Sequence, residues 1–314
     1  MENLRVLMLP QLARFAGDES GIKRVVEHYH ALSHEFSIEF VDIPVEEEEN
    51  YDVMAVHAGS TDRWPKHKPL LSICHGLYWD ADSTAAWQFD ANVNVIECLR
   101  RATVITVPSN WVAETLRREL RVQPVILPHG IDWEAWQHSE PNDGYVLWNK
   151  NRPGDVCDPK PVAELAGMFT DLRFITTFAP EGTELPNLVI TGVIGHAVMR
   201  TMIQRAGVYL SSTKETFGIG ILEAMAAGIP VLGYAWGGNL DLVKHGITGY
   251  LAAPNNPDDL AQGLRFCLKH RGILGHNARI DAKNFTWRNS MTILRSALDQ
   301  CMAIYRDYQR PMFL

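Results

Sequence analysis

Short apolar runs alternating with amphipathic helical stretches constrain this chain more than any other feature. Leu4 to Leu9 (LRVLML) is a nearly continuous apolar run stopped by Pro10, the pattern of a strand buried on both faces of a parallel sheet. After Gly21 comes IKRVVEHYHALS at helical spacing, followed by the strand-like SIEFVDI, YDVMAVHAG and LLSICHG. The helix-like ANVNVIECLRR, the strand TVITVPS, the amphipathic WVAETLRREL and the strand PVILPHG continue the series. Strands alternating with helices are βαβ units, and βαβ units build a parallel sheet covered on both faces.

The alternation lapses between Ile131 and Gly144, where DWEAWQHSEPND is rich in Trp, Pro and acidic residues and reads as a linker. It then resumes with YVLWNK, PVAELAGMF, LRFITTFA, LVITGV, AVMRTMIQRA, GVYLSS, GILEAMAA and PVLGYA. The expected fold class is therefore α/β, with two doubly wound Rossmann-like domains, residues 1–135 and 136–296. Ligands of such sheets sit beyond the carboxyl ends of the strands, so two edges facing one another predict an interdomain cleft.

A length of 314 residues suffices for two such cores, and 46% hydrophobic with 21% charged residues is a globular composition. No run of about 18 apolar residues predicts a membrane helix. The N-terminal MENLRVLMLPQL lacks the length and cleavage site of a secretion signal, so the cytoplasm is expected. Five scattered cysteines without a CxxC pair suggest neither disulfides nor a zinc site. A net charge of −8 argues against nucleic acid as a partner, without excluding a local basic patch.

The most informative segment runs from Gly207 to Leu240, GVYLSSTKETFGIGILEAMAAGIPVLGYAWGGNL. A strand leads through a loop holding Glu215 to Phe217, Gly218, Ile219 and Gly220, which open a helix that carries Glu223 and stops at Gly228 before Pro230. The helix start offers free N–H groups and the positive end of a dipole, and its glycines let a ligand approach closely. Glu215 and Glu223 are read as lying off the apolar face, because Ile221, Leu222, Met225 and the alanines supply that face. Carboxylates suit vicinal sugar hydroxyls, which assigns Glu223 to a nucleotide ribose and Glu215 to a transferred sugar. The competing reading makes both simple helix-start acids favoured by the dipole.

ETFGIGILEAMAAGIPVLGYAWGG resembles the signature of retaining glycosyltransferase family 4, the glycosyl transferases group 1 of GT-B type, and the resemblance runs through HGITGYL to FTW at Trp287. It implies a UDP- or GDP-sugar donor on the second domain and an acceptor glycan, small molecule or protein on the first. It also implies retained anomeric configuration and no metal or other cofactor. The family's last helix crosses back onto the first domain, which here places residues 297–314 with it.

The same resemblance carries roles onto single residues. Arg152 or its rival Lys150, together with Lys160, matches the basic pair that holds the donor diphosphate, in WNKNRPGDVCDPKP. His75, at the end of LLSIC, matches a histidine that reaches the transferred sugar. Gly21 matches the glycine-rich loop near phosphates and acceptor, with Asp18 where a second glycine is usual. PHGID resembles the segment entering the hinge, with His129 in place of the commoner Asn, and Asp241 stands for a Glu after the Gly pair. WDAD, from Trp79 to Asp82, mimics an acidic metal motif but reads as a polar loop. The alternatives in another class are a non-catalytic sugar-nucleotide or glycan-binding protein of the same fold, and, among enzymes, an epimerase or phosphorylase.

Overall fold

The computed structural model describes residues 2–15, 21–78, 86–138, 142–150 and 157–309. Arg152, Asp18 and the Trp79 to Asp82 motif lie outside them. The chain forms two compact units, Met1–Gly130 with Trp287–Leu314, and Ile131–Thr286.

The first unit is a six-stranded parallel sheet in the order β2-β1-β3-β4-β5-β6, with β1 Leu4–Leu9, β2 Ile38–Val41, β3 Val53–His57, β4 Leu70–Ile73, β5 Val104–Val107 and β6 Val125–Ile126. Every residue of β3, β4 and β5 is buried, so these strands lack the inside-outside alternation of a half-exposed sheet. Helices α1 (Gly21–Leu32), α2 (Ala86–Arg101) and α3 (Asn110–Leu120) connect them. Ser109 caps α3 by accepting from the Val112 N–H, and Arg121 closes it in the left-handed region.

The last helix, α9 (Trp287–Gln309), also belongs to this unit and packs on β3, β4 and β5. Met291, Leu294, Leu298 and Cys301 are fully buried. Arg295 donates to the carbonyls of Glu2, Phe36 and Ser37 at 2.8, 3.0 and 2.6 Å, satisfying loop acceptors on the sheet edge with one planar donor fork. The return to the first unit therefore begins ten residues earlier than the 297 read from the sequence, because α9 is one continuous helix whose first turns already belong there. The other crossing falls at Gly130, inside PHGID, in place of residue 135.

The second unit repeats the design with β7 Val146–Trp148, β8 Phe174–Thr176, β9 Leu188–Ile190, β10 Val208–Ser211, β11 Val231–Tyr234 and β12 Gly249–Ala252, in the order β12-β11-β10-β7-β8-β9. All described pairings in both sheets are parallel. Helices α4 (Lys160–Met168), α5 (His196–Arg205), α6 (Ile219–Ala226), α7 (Asn239–Leu242) and α8 (Pro257–Ala282) cover it. Successive strand residues feed opposite cores: Leu147 and Tyr209 pack with α5 and α6, while Val146, Trp148, Val208 and Leu210 pack with α4 and α8. At the unit's boundary Ile131 bridges Thr286 and its N–H bonds the Phe285 carbonyl at 2.9 Å, so the two ends of the unit lie side by side. Among the described residues no helix is long and apolar enough to cross a membrane.

Candidate functional site

In the second unit the connections leave in opposite directions from β7 and β10, which are neighbours in the sheet. Such a reversal opens a crevice beyond the carboxyl ends of the two strands, where sheets of this kind take ligands. Lys150 lies two residues past β7, and Ser212 to Gly218 lead from β10 into α6. These segments meet there: Lys150 Nζ donates to Glu215 Oε1 in a tight ion pair, with the lysine side chain 9% exposed and the glutamate 26%. Burial by itself would drive the lysine toward neutrality, but the Glu215 charge, its hydrogen bond and nearby Tyr209 outweigh that and hold its pKa above the ordinary value.

Tyr209, on β10, is buried on the face of the sheet that α6 covers. A Cβ added to Gly220 would stand 2.3 Å from its hydroxyl, so this turn of α6 rests on the phenol and admits no side chain. Burial raises the phenol to about 12; Lys150 opposes that rise, while Glu215 and Glu223 add to it. One lysine and two carboxylates thus converge electrostatically on one buried hydroxyl.

The loop that carries Glu215 is fixed from behind. Gly238 N–H donates to the Glu215 carbonyl at 2.6 Å, and a Cβ on Gly237 or Gly238 would lie 2.4 Å from the carbonyl oxygen of Glu215 or Phe217. Asn239, fully buried, donates to the carbonyls of Ser211 and Tyr234 and accepts from Ser211 Oγ, tying the ends of β10 and β11 together. WGGN is the sequence of a backbone-to-backbone contact.

Glu223 departs from its expected surroundings. It is 3% exposed, because α6 is buried from Ile221 through Ala226 and offers no solvent face for it. Its Oε1 meets Nε2 of His196, the first residue of α5, at 3.1 Å. Gly218 takes a left-handed φ of 101° as the N-cap of α6, and its carbonyl accepts the N–H groups of Ile221 and Leu222. Phe217 packs into the core beside Phe285, and Ile219 is half-buried against it. Lys160 opens α4 with its side chain 69% exposed and its Nζ 3.6 Å from Glu164, and the Lys150–Glu215 pair forms without it.

The first unit gathers imidazoles instead. His57 ends β3 and His75 follows the neighbouring β4; His57 Nδ1 and His75 Nε2 share a hydrogen bond of 2.9 Å. The two rings stack at 5.2 Å and 14°, and His129 stacks on His75 at 5.6 Å and 29°. Burial depresses all three: His57 falls well below 6.5, with its two neighbours adding to the effect, His75 falls to about 4, and His129 falls to about 3 with a further contribution from His75. Gly21 is the first residue of α1 in the same unit.

Sequence reasoning missed Tyr209, His57 and His196. His57 was detectable as a histidine at a strand's carboxyl end, the position that singled out His75. Tyr209 carried a weaker signal, a phenol on a strand opposite a helix-start glycine. Among the described residues no group of three or more His, Cys, Asp or Glu side chains forms a metal cluster.

Residues 184–285 match the family described as glycosyl transferases group 1, and residues 13–135 match glycosyltransferase family 4. An uncharacterized glycosyltransferase of Methanocaldococcus jannaschii, MJ1607, is 34% identical over 107 residues, covering 32% of this chain and 27% of that protein. Sulfoquinovosyl transferase SQD2 of Arabidopsis thaliana is 29% identical over 139 residues, 42% of this chain and 25% of that one. The chain thus spans about a quarter of the length of these two relatives. Among solved structures, sucrose-phosphate synthase from Thermosynechococcus elongatus superposes with a TM-score of 0.73 at 16% identity, covering 96% of this chain and 99% of that one. HepE of Anabaena in complex with UDP-glucose gives 0.70 at 15%, covering 94% and 99%. At such identities the likeness is one of fold.

Proposed function

Since this chain belongs to the family 4, group 1 glycosyltransferases of GT-B fold, we propose that it moves a sugar from a nucleotide-sugar, held by the second unit, to an acceptor held by the first. The observation that carries this reading is the meeting of Lys150, Glu215 and Glu223 around Tyr209 at the start of α6, on the crevice between β7 and β10.

Each part has a task in such a transfer. Glu223, oriented by His196, accepts hydrogen bonds from the ribose diol, and Glu215 accepts them from the sugar. The N–H groups of Ile219 and Gly220, which have no partner within the helix, and the positive end of α6 face the diphosphate, with Lys150 beside them. As the bond from the anomeric carbon to the diphosphate breaks, negative charge grows on the leaving oxygen. A fixed ammonium and a helix start stabilise that charge without a divalent ion. Arg152 and Lys160 are further candidates for this field. Among acceptors, a glycan, a small molecule or a protein remains the proposed class. Retention of configuration belongs to the proposal: the acceptor hydroxyl enters on the face the diphosphate leaves, its proton passing to the departing phosphate oxygen. UDP- and GDP-sugars are the proposed donors, and UDP-glucose is the first to try because the Anabaena structure carries it.

The test is a thermal-shift panel of UDP-, GDP-, ADP- and dTDP-sugars, followed by nucleotide release with and without EDTA. The expected result is a shift with one donor and EDTA-resistant turnover that Glu215→Ala abolishes. Absence of any shift, or full turnover in Glu215→Ala, overturns the reading. Loss of turnover in EDTA overturns only its metal-free part.

A further inference from the structure

The three stacked imidazoles of the first unit carry an asymmetry that bears on the proton of His75. With burial keeping these rings neutral near pH 7, each holds a single proton on one of its two nitrogens. Across the 2.9 Å contact one ring donates and the other accepts. His57 Nε2 is buried and, among the described residues, makes no hydrogen bond. Were the His57 proton there, it would be a buried donor with no partner among the described residues, whereas on Nδ1 it has His75 Nε2 to receive it. Unpaired buried donors are rarer in folded proteins than underpaired acceptors, and the cheaper arrangement leaves His57 Nε2 as a bare lone pair.

We infer that His57 is a positioning residue: its Nδ1–H, given to His75 Nε2, pins His75 as the tautomer that carries its own proton on Nδ1. His75 then meets a substrate only through Nδ1, and only as a hydrogen-bond donor. Stacking by His57 on one neighbour contact and by His129 on the other sets the plane of the ring, so both its orientation and its proton are fixed before any ligand arrives. A donor of this kind suits a sugar hydroxyl oxygen or the departing phosphate oxygen. This is the opposite of the tautomer that free histidine favours in water, so the outcome is informative. The catalytic consequence rests on the reading that His75 reaches the transferred sugar; the pinned tautomer does not.

Long-range proton–nitrogen correlation spectra of the full chain labelled with 15N-histidine read the tautomer directly, with His75→Gln identifying the His75 signals. The wild type is expected to show His75 protonated on Nδ1, and His57→Asn, which keeps an N–H near the position of Nδ1, is expected to hold that pattern. His57→Leu is expected to release it toward the Nε2–H form and to lower kcat about 10-fold or more, with donor KM changed less than about 2-fold. A wild-type His75 protonated on Nε2 overturns the inference outright, and this needs no variant to fold. If His75→Gln is inactive while His57→Leu keeps full kcat, the pin has no catalytic role and that part falls. If both variants keep full kcat with the tautomer as expected, the pin stands and the sugar-contacting role of His75 fails.

Discussion

Burial acts with the same sign on the imidazoles of the first unit and on the lysine of the second, yet the two centres end in opposite charge states. For His57, His75 and His129 burial lowers the pKa, and for His57 and His129 the neighbouring rings push the same way, so all three remain neutral. Lys150 is as well hidden, but Glu215 lies against it and the pair stays ionised. A buried group's charge is decided less by depth than by whether an opposite charge was buried with it. The first centre is thereby suited to directing a neutral hydrogen bond, and the second, on the proposed function, to meeting a charged diphosphate.

Acid separates the two most sharply. An unfolded histidine takes up its proton near 6.5, whereas in the fold these rings stay neutral to much lower pH. Between the two values the unfolded chain binds more protons, so the stabilisation is complete above 6.5 and drains away as pH falls toward the folded values. For His129, whose folded value is about 3, the loss by pH 5 is about 2 kcal/mol, and His57 adds a loss of the same sign. Lys150, whose raised pKa contributes stability below 10.4 and loses it only as pH climbs past that, changes nothing over this range. Hydrogen exchange at pH 7 and pH 5 is expected to show β3 and β4 losing protection while β7 and β10 keep theirs.

Removing the counter-charge should make the second centre behave like the first. Glu215→Ala leaves a buried ammonium without its partner and is expected to cost about 3 kcal/mol in urea unfolding. Lys150→Met in the same chain should restore most of that loss. If the single variant is as stable as the wild type, the comparison fails, because the lysine has then found water or another anion.

The smallest effect probes the floor under α6. Replacing glycine by alanine inside a helix ordinarily gains up to about 1 kcal/mol. Gly220→Ala is expected to lose about 1 to 2 kcal/mol instead, since the new methyl meets the Tyr209 hydroxyl. Tyr209→Phe should relieve it, and a double-mutant cycle in thermal melts checks the coupling.

How much of this was legible in the sequence follows from where each signal resides. LRVLML and PVLGYA announce buried strands because hydrophobic runs are local, and the two sheets are built from such runs. The Glu215 and Glu223 segment was legible because strand, glycines and helix are contiguous. Glu223 looked solvent-facing because the sequence shows one helix, whereas its burial comes from α5 and from a core that closes on every side of α6. Lys150 and Arg152 could not be ranked by spacing; the ion pair depends on β7 lying beside β10, a fact of sheet order rather than of sequence distance. The start of α9 at Trp287 was obscured for the same reason, since allegiance to a unit is settled by partners such as the Glu2 and Phe36 carbonyls, far away along the chain.

That allegiance governs the order in which the molecule is made. A ribosome releases β1 to β6 first, but the helix that covers β3, β4 and β5 emerges only after the whole of Ile131–Thr286 has been synthesised. The second unit, uninterrupted in sequence, has every strand it needs before that moment and can close as its own segment emerges. The first therefore waits half-finished, with an apolar sheet face uncovered, and translation of α9 is the step that shelters it.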